Sequence, residues 1–125
     1  MTVSKALSLF DEERKNSISE ALKINWLSQL DMKIFCELLK PRTKVSFSGY
    51  TESTPKSTKL LAPEEYAEIY TAYLIMQSDL LNGETARYNC SSSVFNRLYY
   101  ELSCFISREK RVLGACEIKA GGFYV

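Results

Sequence analysis

The chain has 125 residues, 46% of them hydrophobic, 25% charged and 12% aromatic, the size and balance of one compact domain that folds without disulfides or a metal. Sixteen basic against fifteen acidic residues give a net charge of +1, which excludes a polyelectrolyte coat for nucleic acid. Histidine is absent, and with it the commonest general base and the commonest metal ligand. The longest strongly apolar run, Ala72 to Met76, is far short of the ~20 residues that span a bilayer. Asp11, Glu12 and Glu13 stand where the apolar core of a signal peptide would continue. A soluble, intracellularly made domain is expected.

In chain order, Val3, Ala6, Leu7 and Phe10 predict a short amphipathic helix over residues 3–13. Asn16 and Ser17 interrupt it. Ser17 with Glu20 has the form of a capping box, and Ser19 is an equally good cap. From there Ile18, Leu22, Trp26, Leu30, Ile34 and Leu38 recur every four residues, and Leu27 and Phe35 widen the stripe. Glu20, Lys23, Gln29, Lys33 and Glu37 fall mostly on the other side. A long amphipathic helix follows, ending near Lys40 because Pro41 disfavours helix in the residue before it.

Residues 41–62 change character to Thr, Ser, Pro, Gly and Lys. Val45-Ser46-Phe47 alternates with period two and is compatible with a short strand before Gly49. So long a connection in a small domain is usually functional or disordered, which makes this loop the first place to seek a partner. A second helix opens at Pro63, suited to a first helical position, with Glu64 and Glu65 favoured by the helix dipole. Tyr66, Ile69, Tyr70, Tyr73, Met76, Gln77, Leu80 and Leu81 continue it until Asn82-Gly83 supplies a stop. The segment from Glu84 to about Arg108 carries Tyr88, Phe95, Leu98, Tyr99, Leu102, Phe105 and Ile106 at helical spacing, with Ser91-Ser92-Ser93 weakening its middle. The two helices form an antiparallel hairpin.

Val112 to Val125 is punctuated by Gly114, Gly121 and Gly122 and is too glycine-rich for a helix. Its apolar tip, Phe123-Tyr124-Val125, either folds back on its own helices or docks on another subunit, the second being favoured because three packed helices already make one core. The expected fold is therefore all-α: a small bundle of a long helix, a helical hairpin and a short N-terminal helix, with a long mid-chain loop and an extended C-terminal arm. Residues 1–109, including the 41–62 loop, form the helical domain and residues 110–125 the arm.

Cys36, Cys90, Cys104 and Cys116 lack the closely spaced pairs of a zinc site, and they read as free, buried, small hydrophobes, with a disulfide or a reactive thiol as the alternatives. No glycine-rich phosphate loop or nucleophile–base pair is present. Glu64, Glu65 and Glu68 complement a helix dipole, and the tyrosines at helical spacing suit packing in core and interface. No enzyme and no cofactor are expected. The charge is divided: residues 40–59 carry five bases and one acid, residues 60–107 two bases and six acids, and residues 108–125 four bases and two acids. An acidic body thus bears a basic loop and a basic arm, suited to an acidic neighbour or to phosphates. Phe47 and Tyr50 interleave aromatics in that loop, as stacking on single strands would require.

Several segments taken in order resemble a known family. They are Ile24-Asn25-Trp26-Leu27-Ser28-Gln29-Leu30-Asp31-Met32-Lys33-Ile34, Phe47-Ser48-Gly49-Tyr50-Thr51, Leu60-Leu61-Ala62-Pro63-Glu64-Glu65-Tyr66 and Tyr70-Thr71-Ala72-Tyr73-Leu74, then Asp79 through Asn89 and Phe95-Asn96. Over residues 17–108 the pattern resembles the small head–tail connector (adaptor) proteins of tailed bacteriophages. The resemblance implies a virion protein made in the bacterial host cytoplasm, assembling as a ring, typically twelve-fold, under the portal. It further implies a downstream neck or tail protein as partner, double-stranded DNA passing through the channel, and neither membrane nor small-molecule substrate. On that reading Arg108, Lys110, Arg111, Ile118, Phe123, Tyr124 and Val125 dock on the portal. Arg42, Lys44, Phe47, Tyr50, Lys56 and Lys59 face a neighbouring subunit or channel DNA. The competing expectation is a free-standing helical regulatory module that binds a host protein or nucleic acid.

Overall fold

In the computed structural model of the chain, residues 1–39 and 47–113 are described, residues 109–113 by backbone alone. The first helix, α1, spans Val3–Glu13, as its spacing predicts. A helix N-terminus leaves its first amide donors without intrahelical partners, and here each finds one. The Val3 and Ser4 amides donate to the carbonyls of Thr58 (3.1 Å) and Lys56 (3.0 Å), and the Lys5 amide donates to the Thr2 hydroxyl (3.2 Å). The Leu60 amide returns to the Met1 carbonyl at 2.9 Å, and Thr2 and Lys59 form an isolated antiparallel bridge. The later part of the long loop is therefore the cap of α1.

α2 spans Glu20–Ile34 and passes into a π-helical turn, Phe35–Leu39. Of the two candidate caps Ser19 is the one used: its hydroxyl accepts the Leu22 amide at 3.2 Å. The buried face carries Ile24, Trp26, Leu27, Leu30 and Ile34, whereas Ile18, Leu22 and Leu38 are half-buried. A strict four-residue repeat drifts around an α-helix by about 40° per step, so the stripe read from the sequence wanders off the core at both ends. Two polar residues lie on the buried face. Lys23, expected outside, places its ammonium 2.8 Å from Asp11 and 5.7 Å from the centre of the Phe10 ring. Asp31 is fully buried.

Pro63 is extended, with ψ at 154°, and precedes a 3-10 turn over Glu64–Tyr66 rather than sitting in the first helical turn. α3 then spans Glu68–Leu81. It ends in a Schellman motif: the Gly83 amide bonds the Leu80 carbonyl (3.2 Å), the Glu84 amide bonds that of Asp79 (3.0 Å), and Gly83 has φ +69°. Leu80 and Leu81, expected in the apolar stripe, are each 56% exposed on the last turn.

α4 runs from Thr85 to Leu113, about 43 Å, antiparallel to α3. Its serine run does not break it, because the hydroxyls of Ser92 and Ser93 bond back to the Asn89 carbonyl in the preceding turn at 3.2 and 3.1 Å. The helix continues five residues beyond Arg108, so residues 110–113, assigned to the extended arm from sequence, are helical. Nothing from Glu109 to Leu113 breaks a helix, and the first glycine is Gly114. The molecule is all-α, and α3 is its centre, packed against α4, α2 and α1. Phe10, Leu27, Leu30, Ile34, Tyr70, Leu74 and Leu102 form the driest part of the core.

Candidate functional site

The described half of the mid-chain loop is built onto the bundle through one carboxylate. Asp31 on α2 accepts hydrogen bonds from the Tyr50 hydroxyl (2.5 Å), the Tyr70 hydroxyl (2.6 Å) and the Leu61 amide (3.1 Å). The Tyr70 oxygen in turn accepts the Ala62 amide at 2.7 Å. The loop is thus fastened at both of its described ends, by Tyr50 and by Leu61-Ala62, to α2 and α3. Burial pushes the Asp31 carboxyl up to about 6, the hydrogen bonds from Tyr50, Tyr70 and Leu61 offsetting part of that rise. Burial, with the Asp31 charge beside them, raises both tyrosine hydroxyls above their ordinary range.

Gly49 makes the loop's entry possible. Its φ is +90°, and a Cβ there would lie 2.6 Å from the Ser28 hydroxyl oxygen, which accepts the Tyr50 amide at 2.9 Å. Gly49→Ala should therefore cost about 2–3 kcal/mol, from left-handed backbone strain plus the clash. Urea melts of the two proteins measure it, and an unchanged midpoint would refute the tight approach.

The structure turns the loop's aromatic residues inward. Tyr50 is buried, and the Phe47 ring packs on Tyr50 (5.2 Å) and Phe35 (6.0 Å), so neither stands ready to stack on bases. Lys56 is paired with Glu20 at 2.6 Å, while Lys59 is exposed beside Glu64, whose carboxyl is held low first by the N-terminal ammonium. Of these four loop residues, Lys59 and the partly engaged Lys56 therefore stand outward, while the aromatics pack on the dry bundle. Arg42 and Lys44, and most of the Val45–Phe47 strand, lie outside the described residues.

A second network ties the hairpin to α1. Arg14, just past α1, donates to Asp79 at 2.8 Å, and the Ser91 hydroxyl donates to the other Asp79 oxygen at 2.9 Å. Burial raises the Asp79 carboxyl, but the Arg14 and Ser91 hydrogen bonds with the charges of Arg14 and Arg87 outweigh it and leave it low. Neither carboxylate network was legible in the helical periodicity, which marks Asp31 and Asp79 only as polar positions. The one signal was a polar residue on an otherwise apolar face.

At the other end of the hairpin, Arg108 is exposed on the rim of an open hollow of about 310 Å³ shared with Tyr66, Tyr100, Glu101 and Cys104. Tyr100 is 69% exposed there, and the Tyr66 ring packs on Phe105 at 4.9 Å. Lys110 and Arg111 follow on helical backbone, and Ile118, Phe123, Tyr124 and Val125 lie outside the described residues. Cys36 and Cys90 are exposed and Cys104 is half-buried, all as free thiols, which corrects the buried reading for these three, and Cys116 lies outside the described residues. Among the described residues no helix is long and apolar enough to cross a membrane, and no cluster of Cys, Asp and Glu is placed to hold a metal ion. Compared with protein-family models, with characterised proteins and with solved structures, the chain matches none.

Proposed function

We propose that this chain is a head–tail connector (adaptor) subunit of a tailed bacteriophage, a structural rather than catalytic protein that forms a ring under the portal. Its partners are then further copies of itself, the portal and the next neck or tail protein, with double-stranded DNA passing through the channel. One observation carries the reading. Four of the separated segments that bear the resemblance meet in space: Ser28 and Asp31, Gly49 and Tyr50, Leu61 and Ala62, and Tyr70 form one network. The likeness therefore lies in residues that determine how loop and helices are joined, and not merely in interchangeable apolar faces.

The portal contact falls to the C-terminal end, from Arg108, Lys110 and Arg111 on α4 into the arm at Ile118. The basic groups suit acidic portal residues, and cyclic assembly needs two different patches on each subunit. Truncation after Leu113 removes the arm and leaves the described length of α4. Mixed with portal rings from the same genome, the full chain should co-sediment at a saturating ratio near one subunit per portal subunit. The truncated chain should lose that binding with its helical circular dichroism unchanged. A stable monomer or dimer that ignores portal rings would overturn the proposal and favour the regulatory module.

A further inference from the structure

The α3–α4 hairpin and the end of α1 enclose an open groove of about 470 Å³. It is lined by the apolar Ala72, Ile75, Ala86 and Val94 together with Arg14, Arg87, Cys90 and Ser91. Val94 is 44% exposed, a large apolar side chain facing open space, and the Arg87 side chain is 64% exposed. A lining of apolar side chains with two guanidinium groups suits an aromatic, apolar segment, since guanidinium planes stack on aromatic faces. This chain carries such a segment in Phe123-Tyr124-Val125, after Leu113.

Reach decides which copy supplies it. Cys90, at the middle of the groove, lies 23 residues before the end of α4, about 34 Å along the helix. Phe123 is ten residues beyond Leu113, and so spans at most about 33–36 Å when fully extended. A glycine-bearing chain of that length has a typical end-to-end distance of only about 18 Å. Folding back onto its own groove asks Phe123 to travel about 28 Å to Val94 or about 34 Å to Cys90, most or all of its extended reach and well beyond its typical span. A groove on an adjacent copy demands none of this.

We propose that Phe123, Tyr124 and Val125 of one subunit occupy the Arg14–Ile75–Arg87–Val94 groove of the next. The contact is head-to-tail, joining two different patches, and so closes into a ring when the rotation permits. It rests on the ring-forming part of the connector reading and divides the C-terminal end. The apolar tip links copies, and the basic residues from Arg108 to Arg111 remain for the portal.

The test uses the groove's own thiol. In the full chain carrying Cys36→Ser, Cys104→Ser, Cys116→Ser and Gly122→Cys, only Cys90 and position 122 can join. Mild oxidation is run on the protein alone at high concentration and on protein bound to portal rings. A ladder of covalent dimers and larger multimers, lost when Cys90→Ser is added, is expected in at least one of the two. An internally closed monomer, or no cross-link in either, overturns the proposal. Val94→Glu, on an exposed helix position, should weaken self-association at least tenfold, and unchanged association also overturns it. Portal co-sedimentation of the same variants separates the two ideas: binding without a ladder sinks this inference alone, and a ladder without portal binding sinks the connector reading alone.

Discussion

Asp31→Ala should lower stability by about 3–5 kcal/mol at neutral pH, one of the two largest effects expected in this chain. The substitution leaves the Tyr50 hydroxyl, the Tyr70 hydroxyl and the Leu61 amide without their acceptor, in a place where Asp31 itself is fully buried. Each orphaned buried group costs about 1–3 kcal/mol, reduced where the loop can lift and let water in. That lifting is itself a readout: residues 47–62 should become sensitive to protease while α3 and α4 stay protected. Asp31→Asn should cost less, since the amide oxygen still accepts, but its NH2 confronts a donor. Denaturant melts of the three proteins measure the series, and a loss below about 1 kcal/mol for Asp31→Ala would show that the carboxylate does not hold the loop.

The same residue has a pH signature opposite in sign to the usual carboxylate. Its folded pKa, raised by burial from 3.8 to about 6, means that the folded state binds the proton more tightly than the unfolded chain does. The stability it contributes is complete below about pH 4 and is lost as pH rises through 6, on the order of 2–3 kcal/mol in all. Asp11, Asp79, Glu37 and Glu64, all held low by their partners, work the other way and lose stability as pH falls. The Asp31 contribution is therefore isolated by difference: the stability gap between the native chain and Asp31→Asn should narrow between pH 4 and pH 7. A gap that widened would mean that the hydrogen bonds outweigh the burial.

Phe10→Ala should cost about 3–5 kcal/mol, the range for emptying a fully buried aromatic site. Phe10 is 0% exposed and is the anchor of α1, an 11-residue helix too short to persist in water by itself. The Lys23 ammonium that lies over its ring loses that face as well. The damage should spread to the loop, because α1 receives the carbonyls of Lys56 and Thr58 at its N-terminus. Thermal melts should fall by well over ten degrees, with amides of residues 56–60 losing hydrogen-exchange protection together with α1. Loss of α1 protection alone would show that loop and helix are not one unit.

How far the chain could be read in advance differs by element. α1 was legible to the residue, since Val3, Ala6, Leu7 and Phe10 share one face and Thr2 and Arg14 lie outside it. The hairpin was legible because Asn82-Gly83 marks a stop that only a left-handed residue completes. The end of α4 was not, because glycine content was averaged over Val112 to Val125 while the described helix runs on through Leu113.

The sequence by itself determined an all-α chain, its helices and the polar break between the second and third. Those follow from local periodicity, capping residues and turn residues, which act between neighbours a few positions apart. Tertiary structure decided where the loop goes and what it is made of. Tyr50 and Leu61 reach Asp31 across 19 and 30 residues of chain, and Arg14 reaches Asp79 across 65. Polar groups so far apart carry no periodic signal, and a buried carboxylate is tolerated only where donors from other elements converge on it. The fold's joints are for that reason invisible in any single segment and appear only once the helices are packed.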